Sequence, residues 1–350
     1  MSASIVSTFV LAFGATCLFV WMLIPVGVRV GLVDRPGGRK NHHGEVPTIG
    51  GVAITAAVIS TALILDTAAR VHPAFWTGLM VIALIGTLDD LRDLGYHSKF
   101  LAQIAATALM LFWAGWYVDS VGHLLGPWEL GLGKYSIAVT FIAVVGVINA
   151  VNFTDGADGL AGGLVFNALL WYCVLGLSAP APPGEVQIAL ALLAAVGAFL
   201  MFNLRLPGRA RALVFLGDAG SLGLGFAVAW FMVTGAQRAA PLYAPVTAVW
   251  LIAVPLVDTL TCTGRRLMCG TSPFKADSKH LHHVIIGLGL PAGMAVALIH
   301  ACAFLLGGIG VAGWYWRVAE YVMFYAAMAI YAAYLVFYAW ALRRIHGQRK

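Results

Sequence analysis

Apolar residues in this chain gather in long runs, and the residues that interrupt helices or carry charge gather between them. Reading the runs against these breakers predicts eleven membrane-spanning helices, near 4–28, 49–67, 73–88, 100–118, 135–153, 159–178, 187–203, 216–235, 243–262, 291–312 and 319–342. Most approach the length of about 20 residues that a helix needs to cross the hydrocarbon layer. The first run is long and leads directly into a charged loop without a small-residue cleavage site, so it is expected to be a retained anchor rather than a signal peptide. No internal repeat is apparent.

Composition strengthens the same picture. Of 350 residues 61% are hydrophobic and 10% charged, with a mean hydropathy of +0.89, where a soluble domain carries about a quarter charged residues. Soluble enzymes, secreted factors and nucleic-acid binders are excluded. Eleven spans and their connections use up the chain, so the expected organisation is one all-α, polytopic membrane domain over 1–350. The five cysteines are odd in number and scattered, with neither a disulfide framework nor a metal-ligand spacing.

The net charge of +6 changes the picture only through its distribution. Seventeen of the 21 Lys and Arg residues fall in the loops near 29–48, 89–99, 204–215 and 263–290 and in the C-terminal tail, all on one side of an eleven-span topology. The other side has Arg70, Lys134, Arg238 and Arg317. The positive-inside rule then predicts an N-terminus outside, in the periplasm, and a C-terminus with Arg343, Arg344, Arg349 and Lys350 in the cytoplasm. The acids follow the cations. Of eleven aspartates only Asp66 and Asp119 fall on the outer side, while Asp89, Asp90, Asp93, Asp155, Asp158, Asp218 and Asp258 cluster at the cytoplasmic ends of spans. Carboxylates there are costly unless paired, metal-bound or hydrated, so each is a candidate site residue. Stacking at one face points to a cleft open to the cytoplasm rather than to a path across the bilayer.

Four segments carry the chemistry. Asp89, Asp90 and Asp93 have helical spacing at the end of the third span, a set of hard oxygen ligands suited to Mg²⁺; a solvated helix end with Arg92 as partner is the plainer reading. Asn149-x-x-Asn152-x-x-Asp155-Gly-x-Asp158-Gly breaks two apolar runs and offers amides and carboxylates to a nucleotide or a metal, beside a helix start that could receive an anion. Phe215-x-Gly217-Asp218-x-Gly220-Ser221 puts an aspartate between glycines at the mouth of a span. The loop from Arg265 and Arg266 through Ser272-Pro273-Phe274 to His280-Leu281-His282-His283 groups imidazoles with Lys279 and the two arginines, which suits phosphate oxygens better than zinc, since no matching ligand pair is at hand. Asp34, Arg35, Arg39, Lys40, His42 and His43 add charge at the same mouth, whether as an anchor or as ligands. His123 and His300 are read as lone polar residues beside or within spans.

In this order and spacing, Asp89-Asp90, NAVNFTDGADGLAGG, FLGDAGS and SPFKADSKHLHH resemble the polyprenyl-phosphate N-acetylhexosamine-1-phosphate transferases over residues 34 to 290. The resemblance implies a membrane enzyme of ten or eleven helices, in the bacterial inner membrane, with one Mg²⁺-dependent site built from the cytoplasmic loops near 29–48, 89–99, 149–159, 204–221 and 263–290. Its partners would be a UDP-sugar and undecaprenyl phosphate, with a homodimer allowed and no nucleic acid; its products would be the lipid diphosphosugar and UMP. Carried over by motif, Asp218 and Asn152 would hold Mg²⁺, or Mn²⁺ on the same oxygen ligands. Asp155, Asp158 and Asn149 would serve the nucleotide, Asp89 and Asp90 the lipid phosphate, and Arg265, His280, His282 and His283 the diphosphate or sugar. Lys99 matches a lysine that often follows the acidic motif. Asp89 is left as a base, as an orienting group for the lipid phosphate, or as a second cation ligand.

The histidine pattern after Ser272-Pro273-Phe274 is similar to the branch that uses UDP-N-acetylglucosamine for O-antigen or other envelope polysaccharides. UDP-N-acetylfucosamine and UDP-MurNAc-pentapeptide are the alternatives. An ion-coupled transporter would place its acids near the midplane in two halves of a repeat. A CDP-alcohol phosphotransferase would hold its aspartates in one motif, and a scaffold would have no use for them.

Overall fold

A chain segment that cannot reach water must satisfy its backbone internally, and the apolar runs accordingly fold as helices. The computed structural model describes residues 2–34, 44–205, 208–209, 211–272 and 279–347. In chain order the helices are α1 (Ser2–Val30), α2 (Gly50–Ile64), α3 (Pro73–Arg92), α4 (Tyr96–Ala108), α5 (Ser136–Thr154), α6 (Leu160–Leu177) and α7 (Gly184–Asn203). They continue with α8 (Gly217–Gln237), α9 (Pro245–Leu251), α10 (Ala253–Met268), α11 (Leu281–Gly287), α12 (Ala292–Tyr315) and α13 (Glu320–Gly347). The one sheet among the described residues is a two-residue antiparallel pair, β1 (Val33–Asp34) with β2 (Val46–Pro47). The protein is an all-α polytopic membrane protein, and each of the eleven apolar runs coincides with a helix or a pair of helices.

Eight of the helices are individually long and apolar enough to cross a membrane. The other three runs differ from straight spans. The run at 49–67 gives only the 15 residues of α2. The run at 100–118 starts earlier, as α4, and ends at Trp113 after a π-turn over Leu109–Trp113. The run at 243–262 is two helices, α9 and α10, bent by 80°. The bend falls at Ile252, three residues before Pro255, which has no N–H to give the Leu251 carbonyl and so cannot continue α9 as a straight helix. The N-terminal basic residues Arg35, Arg39, Lys40, His42 and His43 lie outside the described residues, as do Pro273 and Phe274.

Helix α8 is the axis of the fold. It packs against α2, α3, α5 and α6, and almost every residue from Ala219 to Gly235 is buried. At its far end Phe75, Phe226, Trp230 and Phe231 form an aromatic cluster with ring centroids 5.4 to 6.1 Å from Phe75. Its N-terminus is pinned from outside. The Gly50 and Gly51 N–H groups donate to the carbonyls of Phe215 and Leu216 at 3.0 and 2.9 Å, and Phe215 N–H donates to Pro47 at 2.8 Å. Gly217 turns the chain into the helix at φ +72°, where a side chain would be strained and would collide with Asp90.

The two lone histidines have structural partners. His300 on α12 approaches the Gly159 carbonyl at 3.1 Å, tying α12 to the start of α6. His123 meets Glu320 at 3.2 Å.

Candidate active site

Asp89 and Asp90 are consecutive on α3, so their side chains leave the helix about 100° apart and take different work. Asp90 faces α8, accepting the Asp218 N–H at 3.0 Å and the Ala219 N–H at 3.3 Å. It caps two of the orphan donors of that helix from a neighbouring helix, and it does not line the cavity described below. Asp89 faces Lys99: its Oδ2 lies 2.9 Å from Nζ, while the buried Oδ1 has no hydrogen-bond partner. Asp93 does not join them. The helix ends at Arg92, and Asp93 follows in a left-handed conformation, exposed at φ +50°.

Lys99, on α4, is the hinge of the cluster. Its ammonium sits between Asp89 and Asp218, 3.0 Å from the latter's Oδ2. The other oxygen of Asp218 accepts from Asn152 Nδ2 at 2.8 Å, and that amide also reaches Ser221 Oγ at 2.8 Å. Three helices and the start of a fourth thus converge on one half-buried arrangement of two carboxylates, an ammonium and an amide. Two carboxylates this close would repel without a cation between them, and Lys99 supplies it.

These groups border a cavity of about 310 Å³. One wall has Tyr96, Lys99, Phe100 and Gln103 of α4, and Asn149, Asn152 and Phe153 of α5 stand beside it. Asn149 donates to Gln103 Oε1 at 2.6 Å, so its amide is held within the wall. The rest of the polar lining is cationic and imidazole-rich, with Arg266, His280, His282 and His283. Of the residues singled out in the sequence, Lys99, Asn149, Asn152 and the three histidines line the cavity, with Asp89 and Asp218 bound to Lys99 at its edge.

Three candidates stand apart from that lining. Asp158 pairs with Arg205 at 2.7 Å on the other side of the Gly159 turn. Asp155 follows the end of α5 outside the lining, close enough to Asp218 and Asp90 to feel their negative charge. Arg265 is directed towards Tyr338 of α13, and it is the neighbouring Arg266, 3% exposed, that enters the cavity wall. Arg266 stands in the cavity in place of the Arg265 that the resemblance implied, and Gln103 is the polar lining residue that the motifs do not mark. The signal for both was helical phase: Gln103 is four residues after Lys99, and Arg266 is eight after Asp258 and four after Cys262.

His282 is 2% exposed, and its Nε2 is buried with no hydrogen-bond partner, facing Gly156. Burial, with His283 and His280 nearby outweighing Asp258, pushes its pKa down to about 3, so it is neutral throughout the physiological range. In the unfolded chain it would titrate near 6.5. Its contribution to stability is therefore complete above that pH and is lost as pH falls towards 3. Between pH 7 and pH 5 the wild-type protein should lose about 2 kcal/mol on this account. Thermal unfolding of His282→Gln should show a correspondingly smaller difference between the two pH values; equal differences would mean that His282 is not held neutral by the fold.

A helical bundle of membrane-spanning length that closes around a cavity of paired carboxylates, amides and cations is a polytopic membrane protein built to handle charged ligands. Residues 72–236 match the family described as Glycosyl transferase family 4. The chain is 36% identical over 342 residues to the undecaprenyl-phosphate α-N-acetylglucosaminyl 1-phosphate transferase of Escherichia coli O157:H7, covering 94% of this chain and 90% of the relative. The proteins of the same name from Yersinia pestis and Haemophilus influenzae are 35% and 32% identical, over 93% and 97% of this chain and 88% and 95% of theirs. The chain belongs to this family of membrane phosphotransferases.

Proposed function

We propose that the protein transfers N-acetylglucosamine-1-phosphate from UDP-N-acetylglucosamine to undecaprenyl phosphate, giving the lipid diphosphosugar and UMP. The observation that carries this reading is the meeting at one cavity of the Asp89–Lys99–Asp218 cluster with Arg266, His280, His282 and His283. Phosphoryl transfer between two anions requires charge to be screened and the partners to be held in line, and it has little need of a protein nucleophile. The names of the relatives agree in lipid and in sugar.

In the proposed reaction an oxygen of the lipid phosphate attacks the β-phosphorus of the sugar nucleotide. The bond from that phosphorus to the oxygen bridging it to the α-phosphate breaks, and UMP leaves with the bond's electron pair. A phosphate monoester with a second pKa of about 6 is largely dianionic at neutral pH, so no base is required and Asp89 orients rather than deprotonates. Lys99 and Arg266, both in the cavity lining, would hold phosphate oxygens.

The donor set also fits Mg²⁺. Lys99 occupies the place of a cation between two carboxylates, and the unpartnered Oδ1 of Asp89 is an oxygen to spare. Asp218 and Asn152 would hold the ion, with Asn152 presenting its oxygen, and when bound the ion would neutralise diphosphate charge. The positive-inside charge distribution supports a cavity open to the cytoplasmic face of the inner membrane, where a sugar nucleotide is available, and a role at the start of O-antigen or other envelope polysaccharide assembly.

The test is an assay of purified protein in detergent with undecaprenyl phosphate, UDP-N-acetylglucosamine and Mg²⁺. UMP and a sugar-bearing lipid diphosphate should appear together, EDTA should stop both, and added Mg²⁺ should restore them. Product only with another UDP-hexosamine would replace the donor; folded protein silent with every donor would overturn the reading.

A further inference from the structure

Asp258 was noted in the sequence only as one more acid near a helix end. In the structure it is 2% exposed on α10 and collects donors from three elements. Its Oδ2 accepts from His280 Nδ1 at 2.9 Å. Its Oδ1 accepts the Leu281 N–H at 2.8 Å and the Tyr334 hydroxyl of α13 at 3.2 Å, with the Cys262 thiol at 3.8 Å. On the far side of the His280 ring, Nε2 lies 3.1 Å from Nη2 of Arg266. A guanidinium can only donate, so Nε2 accepts, and the single imidazole proton sits on Nδ1, facing Asp258. The carboxylate therefore selects the tautomer that lets His280 hold Arg266 against the cavity, 5.5 Å over the Phe153 ring.

Asp258, Cys262 and His280 also bring ligand atoms within 4.8 Å of one another, as a metal site would. Each of these atoms is already turned to a hydrogen bond, and the Arg266 cation beside His280 opposes a second cation there. The arrangement is that of a support and not of a metal centre.

We infer that Asp258 is a positioning residue for the transfer reaction: through the neutral Nδ1–H form of His280 it fixes the Arg266 guanidinium on the donor diphosphate, and through Leu281 N–H it fixes the start of α11, which carries His282 and His283. The inference rests on the proposed reading of the cavity as the donor site. Asp258→Asn would present an amide N–H to His280 Nδ1, drive the proton to Nε2 and turn that N–H against Arg266, the kind of tautomer error that disables a catalytic histidine when its aspartate is replaced.

The experiment is a double-mutant cycle of Asp258→Asn and Arg266→Ala, read as KM for UDP-N-acetylglucosamine, KM for undecaprenyl phosphate, kcat and thermal unfolding. Asp258→Asn should raise the donor KM by roughly ten- to a hundredfold, the usual effect of removing a group that orients a ligand-binding side chain, and leave the lipid KM unchanged. The double variant should be no worse than Arg266→Ala alone. Additive effects, or equal rises in both KM values, would overturn the inference. If Asp258→Asn does not fold, the cycle of His280→Ala with Arg266→Ala decides instead: non-additivity in donor KM supports the relay, additivity removes it. Wild-type turnover of UDP-N-acetylglucosamine is the control that separates the two claims. Its absence would remove the proposed function, whereas its presence with additive effects would remove only the role of Asp258.

Discussion

Asp218→Asn is expected to lower turnover by roughly 10²- to 10³-fold at ordinary Mg²⁺, with the protein still folded. The size follows from the residue's position. One oxygen of Asp218 meets Lys99 and the other meets Asn152, so a neutral amide leaves Lys99 balanced by Asp89 alone and removes the negative ligand proposed for the divalent ion. Loss of one preorganised charged group from a water-poor phosphoryl-transfer site costs about this much. The fold should survive, because the backbone N–H of residue 218 remains capped by Asp90. The check is UMP release across a Mg²⁺ titration beside a thermal melt. Near-normal activity in folded protein would take Asp218 out of the metal shell.

Gly86→Ala should do comparable harm by a different route. A Cβ on Gly86 would lie 2.5 Å from the backbone nitrogen and Cα of Ala219. No side chain can swing aside there; the backbone of α8 would have to move, and with it Asp218. Overpacking of this kind costs about 1–3 kcal/mol, and the displaced carboxylate should take most of the activity with it. Gly146→Ala on α5 is the control, since nothing stands within 4 Å of its new methyl; it should keep full activity and an unchanged or slightly higher melting temperature. Equal behaviour of the two variants would show that the α3–α8 contact does not hold Asp218 in place.

The helices were legible because apolar runs and breakers are a one-dimensional signal, and the bilayer leaves the backbone few other choices. The 80° bend within 243–262 was not. A window of average hydropathy merges α9 with the first turns of α10, although the Asp258, Cys262, Arg266 phase already marked α10 as two-faced. In the cavity, Lys99, Asn149, Asn152 and the histidines were found by motif. The division of labour between Asp89 and Asp90 was not, because it depends on which neighbour each meets across 100° of helix. Arg265 was chosen over Arg266 for want of the same phase information. Asp258 was seen as a charge, but its role needs the Tyr334 and His280 partners, 76 and 22 residues away in sequence.

The glycine contacts at the head of α8 have a further meaning for how such a protein can diversify. Where Gly51 and Gly86 bring α2 and α3 onto the backbone of Gly220 and Ala219, there is no slack to redistribute, so the carboxylate end of the cavity is a fixed template. The histidines of the lining hang on α11, a helix of seven residues, and on hydrogen bonds to the Asp258 carboxylate. If that segment meets the donor as proposed, a change of sugar head group is accommodated by rewriting a short stretch of chain, leaving the centre of the bundle as it was.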